Sequence, residues 1–126
     1  MIGYVTLGTN DLAKGAKFFD AIAKELGVGR MMEFDSFIAW GEMGGAPGVA
    51  LTQPFDGEKA SVGNGTMVAL QVADREQVQR VYDIAITQGG KDEGPPGPRG
   101  DDGFYAAYFR DLDGHKLNAF CMVGPE

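Results

Sequence analysis

The feature that most constrains this chain is an internal repeat. Tyr4-Val5-Thr6-Leu7-Gly8-Thr9-Asn10-Asp11 aligns with Met67-Val68-Ala69-Leu70-Gln71-Val72-Ala73-Asp74 at a gap-free offset of 63 residues. The offset holds through a whole strand-plus-helix unit. Val5/Val68, Leu7/Leu70, Asp11/Asp74, Asp20/Asp83 and Gly27/Gly90 are identities, and Lys17/Arg80 and Phe19/Tyr82 match in type. A repeat of this length marks two copies of one supersecondary unit, each too small to bury its own apolar face.

Both copies read the same way. A short alternating strand is followed by a helix, which in the first copy runs from about Asp11 to Leu26 with Leu12, Ala16, Phe19, Ala23 and Leu26 on one face. Thr9 or Asn10 is placed to cap it, and Asp11 suits its positive end. Gly27 supplies a left-handed terminus. Val78, Val81, Tyr82 and Ala85 form the equivalent face in the second copy, closed by Gly89-Gly90. Strand-like runs follow each helix: Phe37 to Trp40 and Val49 to Thr52, then Phe104 to Arg110 and Lys116 to Met122. Asp113-Gly114 reads as a two-residue hairpin between the last two. The stretch Gly94-Pro95-Pro96-Gly97-Pro98-Arg99-Gly100 looks like two collagen triplets, too few for a triple helix, and reads as a long loop. The expected fold is α+β: one domain over residues 1–126, made of two βαβββ modules (about 1–60 and about 64–124). They form a rolled mixed sheet around a cleft, with helices outside.

Composition removes several functions. Eleven Lys and Arg against 18 Asp and Glu give a net charge of −7. Nucleic acids and anionic membrane surfaces both require a basic face, so neither is an expected partner. No apolar run approaches the ~18 residues of a membrane span, and the N-terminus lacks a basic-then-apolar leader. The single Cys121 cannot form an internal disulfide, which points to a cytoplasmic, reducing environment.

Three segments carry a family resemblance. They are Tyr4 to Leu12 with Phe18-Phe19-Asp20, then Gly63 to Leu70, and finally Phe109-Arg110-Asp111-Leu112-Asp113-Gly114-His115-Lys116-Leu117. In that order, with the repeat, the chain resembles the vicinal oxygen chelate superfamily of glyoxalase I, bleomycin-resistance proteins and extradiol dioxygenases. In metal-using members the resemblance implies ligands on the first and last strand of each module, usually His and Glu. Those positions here are Tyr4, Thr52, Met67 and Asn118. Hard divalent ions want carboxylates, imidazoles or carbonyl groups, and a neutral phenol or a thioether is a poor substitute. No metal and no other cofactor is therefore expected.

What remains is the cleft. Strand alternation lines it with Tyr4, Thr52, Met67, Asn118 and Phe120, and Trp40, Tyr105 and Tyr108 are further candidates. Such a surface suits a small, partly aromatic ligand. The resemblance also implies a homodimer. Two functional classes stay open: a metal-free binding protein, or a glyoxalase- or dioxygenase-type enzyme (lyase or oxidoreductase) with an atypical metal or acid/base site. The sequence assigns no catalytic residue. His115, the only histidine, reads as a solvated turn residue, Asp111 and Asp113 as turn caps, and Cys121 as a small buried hydrophobe. Glu33, Asp35 and Glu42 would serve as a general base only if one entered the cleft. Arg99, in the Gly/Pro stretch, reads as solvated and would otherwise meet an anion at the cleft mouth.

Overall fold

The two copies of the repeat fold into two like modules. The computed structural model describes residues 1–122, so the expected end of the second module (123–124) lies outside the described residues. Module 1 contains β1 (Tyr4–Gly8), α1 (Leu12–Glu25), β2 (Gly29–Phe34), β3 (Phe37–Gly41) and β4 (Gly48–Thr52). Module 2 contains β5 (Met67–Gln71), α2 (Arg75–Thr87), β6 (Lys91–Pro98), β7 (Phe104–Arg110) and β8 (Lys116–Met122). The 63-residue offset thus carries β1 onto β5 and α1 onto α2. Each module forms its own mixed sheet, in the orders β1-β4-β3-β2 and β5-β8-β7-β6. In each, the first strand pairs parallel with the last and the others run antiparallel. The α+β class and the βαβββ modules stand. The sheets do not close into a barrel, and β1 and β5 remain as edges.

Local chemistry explains the helices, with one correction. Asp11, not Thr9 or Asn10, caps α1 by accepting from Lys14 N (3.1 Å), as Asp74 caps α2 by accepting from Gln77 N (2.8 Å). Thr9 Oγ1 instead accepts from Asp11 N, and Asn10 Oδ1 accepts from Ala60 N, fastening the inter-module loop. Gly27 (φ +77°) ends α1 in the left-handed region.

Two further expectations are corrected. The Gly/Pro stretch is not a loop: Lys91–Pro98 forms β6, an edge strand with register shifts around Gly94. Proline is tolerated there because an edge strand need not donate on its outer side. The β7–β8 turn is not a two-residue hairpin but spans 111–115, closed by Asp111 N donating to His115 O (3.0 Å). Asp111 Oδ1 accepts from the backbone of Asp113 (3.0 Å) and His115 (2.9 Å), so Asp111 does cap the turn.

That turn docks module 2 onto module 1. His115 is buried rather than solvated, 7% exposed, with Nε2 2.7 Å from Gly8 O. A carbonyl oxygen only accepts, so Nε2 carries the proton. Asp113 Oδ1 accepts from Asn10 N at 2.9 Å. At the other end of α1, Gln77 and Arg80 of α2 bond Glu25 at 3.1 and 3.0 Å. Between them lies an aromatic bridge. Phe18 of α1 meets Phe109 of β7 (6.3 Å), while its neighbour Phe19 meets Trp40 of β3 (5.4 Å). One helix thus serves both cores.

Asp20 anchors α1 to its own sheet, accepting from Trp40 Nε1 (2.7 Å) and pairing with Arg30 (2.8 Å). The Arg30 guanidinium holds the Asp20 carboxyl below its ordinary value of 3.8, and Trp40 adds to this. A lowered carboxyl stabilises the fold above the unfolded value and loses that contribution as pH falls through the folded one. With the side chain 42% exposed, screening keeps the effect small. We expect Asp20→Asn to cost about 0.5–1 kcal/mol at pH 7, the gap closing below the ordinary carboxylate range in pH-dependent denaturant titrations. His115→Ala, which strips the clasp between modules, should cost about 1–3 kcal/mol in the same titration at pH 7.

Candidate ligand-binding site

Alternation along the strands divides each sheet into a face under its helix and an open face. In module 2, Leu117, Ala119, Cys121, Ala107 and Phe109 belong to the core. Their alternates therefore share the open face: Tyr108 and Arg110 on β7, and Lys116, Asn118 and Phe120 on β8. Register aligns them in rows, Tyr108 opposite Asn118 and Arg110 opposite Lys116, with Met67 and Ala69 of β5 alongside. Above this face the inter-module loop, Val62 to Thr66, closes a cleft of about 680 Å³ with Met67, Tyr108, Arg110 and Lys116.

Cations lie on and beside this face. The Lys116 ammonium lies 5.4 Å and the Arg99 guanidinium 5.5 Å from the centre of the Tyr108 ring. Gly94 lies close beneath this stack: a Cβ there would sit 3.2 Å from Arg99 Nη2 and 3.3 Å from Tyr108 Cδ1. Arg110 is part-neutralised by Glu93 (2.8 Å) and held by Gly114 O (3.1 Å). Lys116 has no ion-pair partner among the described residues. Asn118 is 1% exposed, yet its Oδ1 finds no hydrogen-bond donor among them. Asn118 lines neither of the two clefts. Toward the other end of the face, Phe104 stacks on Phe120 (5.4 Å).

A second cleft, of about 590 Å³, runs between the free edges of β1 and β5 with α1 as its floor. Trp40, Met67 and Phe120 border it, as does Glu42. The open face of module 1 is aromatic: Tyr4 packs edge-on to Phe37 (5.8 Å), which meets Phe34 (6.2 Å).

The sequence-derived site residues fall on different surfaces. Met67 lines both clefts, Asn118 and Phe120 lie on the open face of module 2, and Tyr4 lies on that of module 1. Thr52 Oγ1 is within bonding distance of Gln53 O (3.0 Å) and Ser36 O (3.3 Å). Trp40 and Tyr105 face the helices: Trp40 against Phe19 of α1, Tyr105 beneath the Arg75 guanidinium of α2 at 5.1 Å. Sequence reasoning passed over Arg110, Lys116 and the 62–66 loop. Alternation through Tyr108-Phe109-Arg110 and Lys116-Leu117-Asn118 was the available signal. Of the carboxylates considered as bases, Glu33 pairs with Arg30 and Asp35 is exposed.

The metal question turns on the donor set. The resemblance puts a phenol, a hydroxyl, a thioether and an amide at the four ligand positions Tyr4, Thr52, Met67 and Asn118. The register corrects one of them: Thr6 pairs with Ala50 where its repeat mate Ala69 pairs with Asn118, so Ala50 and not Thr52 is the counterpart of Asn118. Among the described residues no group of three or more His, Cys, Asp or Glu side chains is placed to hold an ion. These residues do not fit the family metal. No helix among the described residues is long and apolar enough to cross a membrane.

A profile of the glyoxalase/bleomycin resistance protein/dioxygenase superfamily matches residues 1–119, and the chain belongs to that superfamily. It is similar to a glyoxalase/bleomycin resistance protein of Albidiferax ferrireducens T118, with 34% identity, 96% of this chain and 98% of that one covered, and a TM-score of 0.88. It also resembles hypothetical protein SA1046 of S. aureus, with 26% identity over 94% and 91% of the chains and a TM-score of 0.73. The fosfomycin resistance protein FosX of Mesorhizobium loti shares the fold at 18% identity over 98% and 92% of the chains, with a TM-score of 0.71. No match was found among functionally curated proteins.

Cys121 is the one thiol, 3% exposed, and burial pushes its pKa up. Both observations argue against a nucleophile. Ellman's reagent should leave the folded protein unmodified and titrate one thiol per chain once denaturant is added.

Proposed function

We propose that this protein is a metal-independent binding protein. It takes up a small, partly aromatic molecule across the open faces of its sheets, in a reducing, cytoplasmic setting. What supports the reading is the donor set at Tyr4, Met67, Asn118 and Ala50, the register counterpart of Asn118, with Thr52 as the position the resemblance named. Reactions that polarise vicinal oxygens need a Lewis acid, and these side chains offer no carboxylate or imidazole to hold one. The aromatic pairs on the two open faces, Tyr4 with Phe37 and Phe104 with Phe120, supply stacking surfaces for a ligand ring.

The working form in this reading is a homodimer. Tyr4 is 45% exposed, Phe34 64% and Met67 40%, on or beside sheet faces whose edge strands β1 and β5 are paired on one side only. Edge strands of that kind gain by being covered, and a second copy of a pseudo-symmetric chain has complementary edges to offer.

Four measurements test the reading. Protein purified without a metal-binding tag should contain far less than one equivalent of Ni, Zn, Fe or Mn, and near-stoichiometric metal would overturn it. Light scattering should give twice the mass of one chain at tens of micromolar, as against the monomer. Titration with benzamide, a neutral aromatic probe, should shift the amide resonances of Tyr4, Met67, Asn118 and Phe120 together. Combining Tyr4→His, Met67→His, Asn118→Glu and Thr52→Glu should create zinc affinity if the four positions converge in the assembled cleft.

A further inference from the structure

We propose that the Asn64–Gly65 turn is a self-modifying site. Asn64 deamidates spontaneously through the backbone nitrogen of Gly65, and the product sets a carboxylate into the wall of the cleft of about 680 Å³. The proposal goes beyond the binding reading and does not depend on it.

The first argument is local freedom. Asparagine is a thermolabile residue because the next backbone nitrogen can reach its side-chain carbonyl carbon, provided that the peptide between them can turn. Gly65 permits that turn. It has no Cβ, nothing lies within 4 Å of where one would stand, and its φ is +93°. Among the described residues neither its N–H nor the Asn64 side chain makes a hydrogen bond. Both residues are exposed. The turn itself is closed by Thr66 N donating to Gly63 O at 3.2 Å, a single bond that has to open.

The second argument is that the fold blocks the same chemistry elsewhere. Of the other two asparagines, Asn10 accepts from Ala60 N (2.8 Å) and Asn118 is 1% exposed within β8. The Asp-Gly pairs, which can close the same ring, have their carboxylates committed. Asp56 accepts from Glu58 N (2.9 Å), Asp102 from Phe104 N (3.2 Å) and Asp113 from Asn10 N (2.9 Å). At Asn64 the Gly65 nitrogen bonds to Cγ, the Cγ–Nδ2 bond breaks, and ammonia leaves with the Gly65 amide proton. Water then opens the five-membered imide at either carbonyl, giving aspartate or isoaspartate. Each product adds one negative charge to a chain already at −7. Arg110 and Lys116 line the same cleft, so the new carboxylate offsets their charge.

Ageing the folded protein for days in mildly alkaline buffer tests the proposal by tryptic mass mapping. Cleavage after Lys59 and Arg75 isolates Asn64 in peptide 60–75, apart from Asn10 and Asn118. That peptide should gain about one dalton, take up one oxygen from ¹⁸O-labelled water and split into two isomers. The folded chain should react less than about ten-fold slower than the free peptide, since one turn bond is all that must open. Asn64→Gln, whose ring would be larger, should suppress the gain. In ¹⁵N spectra the aged protein and Asn64→Asp should both shift the amides of Arg110 and Lys116. No gain in peptide 60–75, an equal gain in the peptide carrying Asn10, or a gain persisting in Asn64→Gln would overturn the assignment. A single isomer would do the same, because direct hydrolysis bypasses the imide. Unmoved Arg110 and Lys116 amides would overturn the placing of the charge in the cleft. None of these readouts requires the cleft to hold a ligand, so the binding reading stands or falls separately.

Discussion

Everything in this molecule depends on α1 being shared. Phe18 and Phe19 are neighbours in sequence, and a helix turns about 100° between neighbours, so they cannot face the same surface. Phe19 enters the core of module 1 against Trp40, and Phe18 enters module 2 against Phe109. Neither module, at about 60 residues, has enough interior to stand by itself. Joining them through one helix gives a continuous core in which Phe18, Phe109, Leu51, Leu117, Val78 and Val81 are all nearly or fully inaccessible.

The polar contacts fix the angle at which this joint is set. At one end of α1, His115 and Asp113 of the β7–β8 turn reach Gly8 and Asn10; at the other, Gln77 and Arg80 hold Glu25. Burial raises the Asp111 carboxyl, while the His115 backbone N–H it accepts and the imidazole charge oppose that. The sole histidine and the turn aspartates are therefore structural groups. Chemistry is left to the open faces, and there the chain carries hydroxyls, an amide, aromatic rings and cations. Such a set is suited to holding a ligand by stacking and by charge.

Packing through the helices also decides what stays open. With α1 and α2 directed toward the shared core, β1 and β5 keep free edges and a groove lies between them. An apolar edge with half-exposed aromatic groups beside it is a liability for a lone chain. It becomes an asset once covered, and this links the binding reading to the proposed homodimer.

The sequence by itself determined the modules. An offset of 63 residues carries β1 onto β5 residue for residue, and period-2 and period-3.6 patterns agree with the structure in both copies, because local geometry alone sets those periods. Tertiary structure decided the rest. Only it made a strand of Lys91–Pro98, since β7 was there to receive an edge, and only it buried His115, whose partner carbonyl is 107 residues away. Only it turned Trp40 and Tyr105 toward the helices and set Arg99 and Lys116 over Tyr108. The physical reason is common to all of these. A residue's period says which neighbours share its face, but which face meets a helix, a second module or open space depends on contacts distant in sequence.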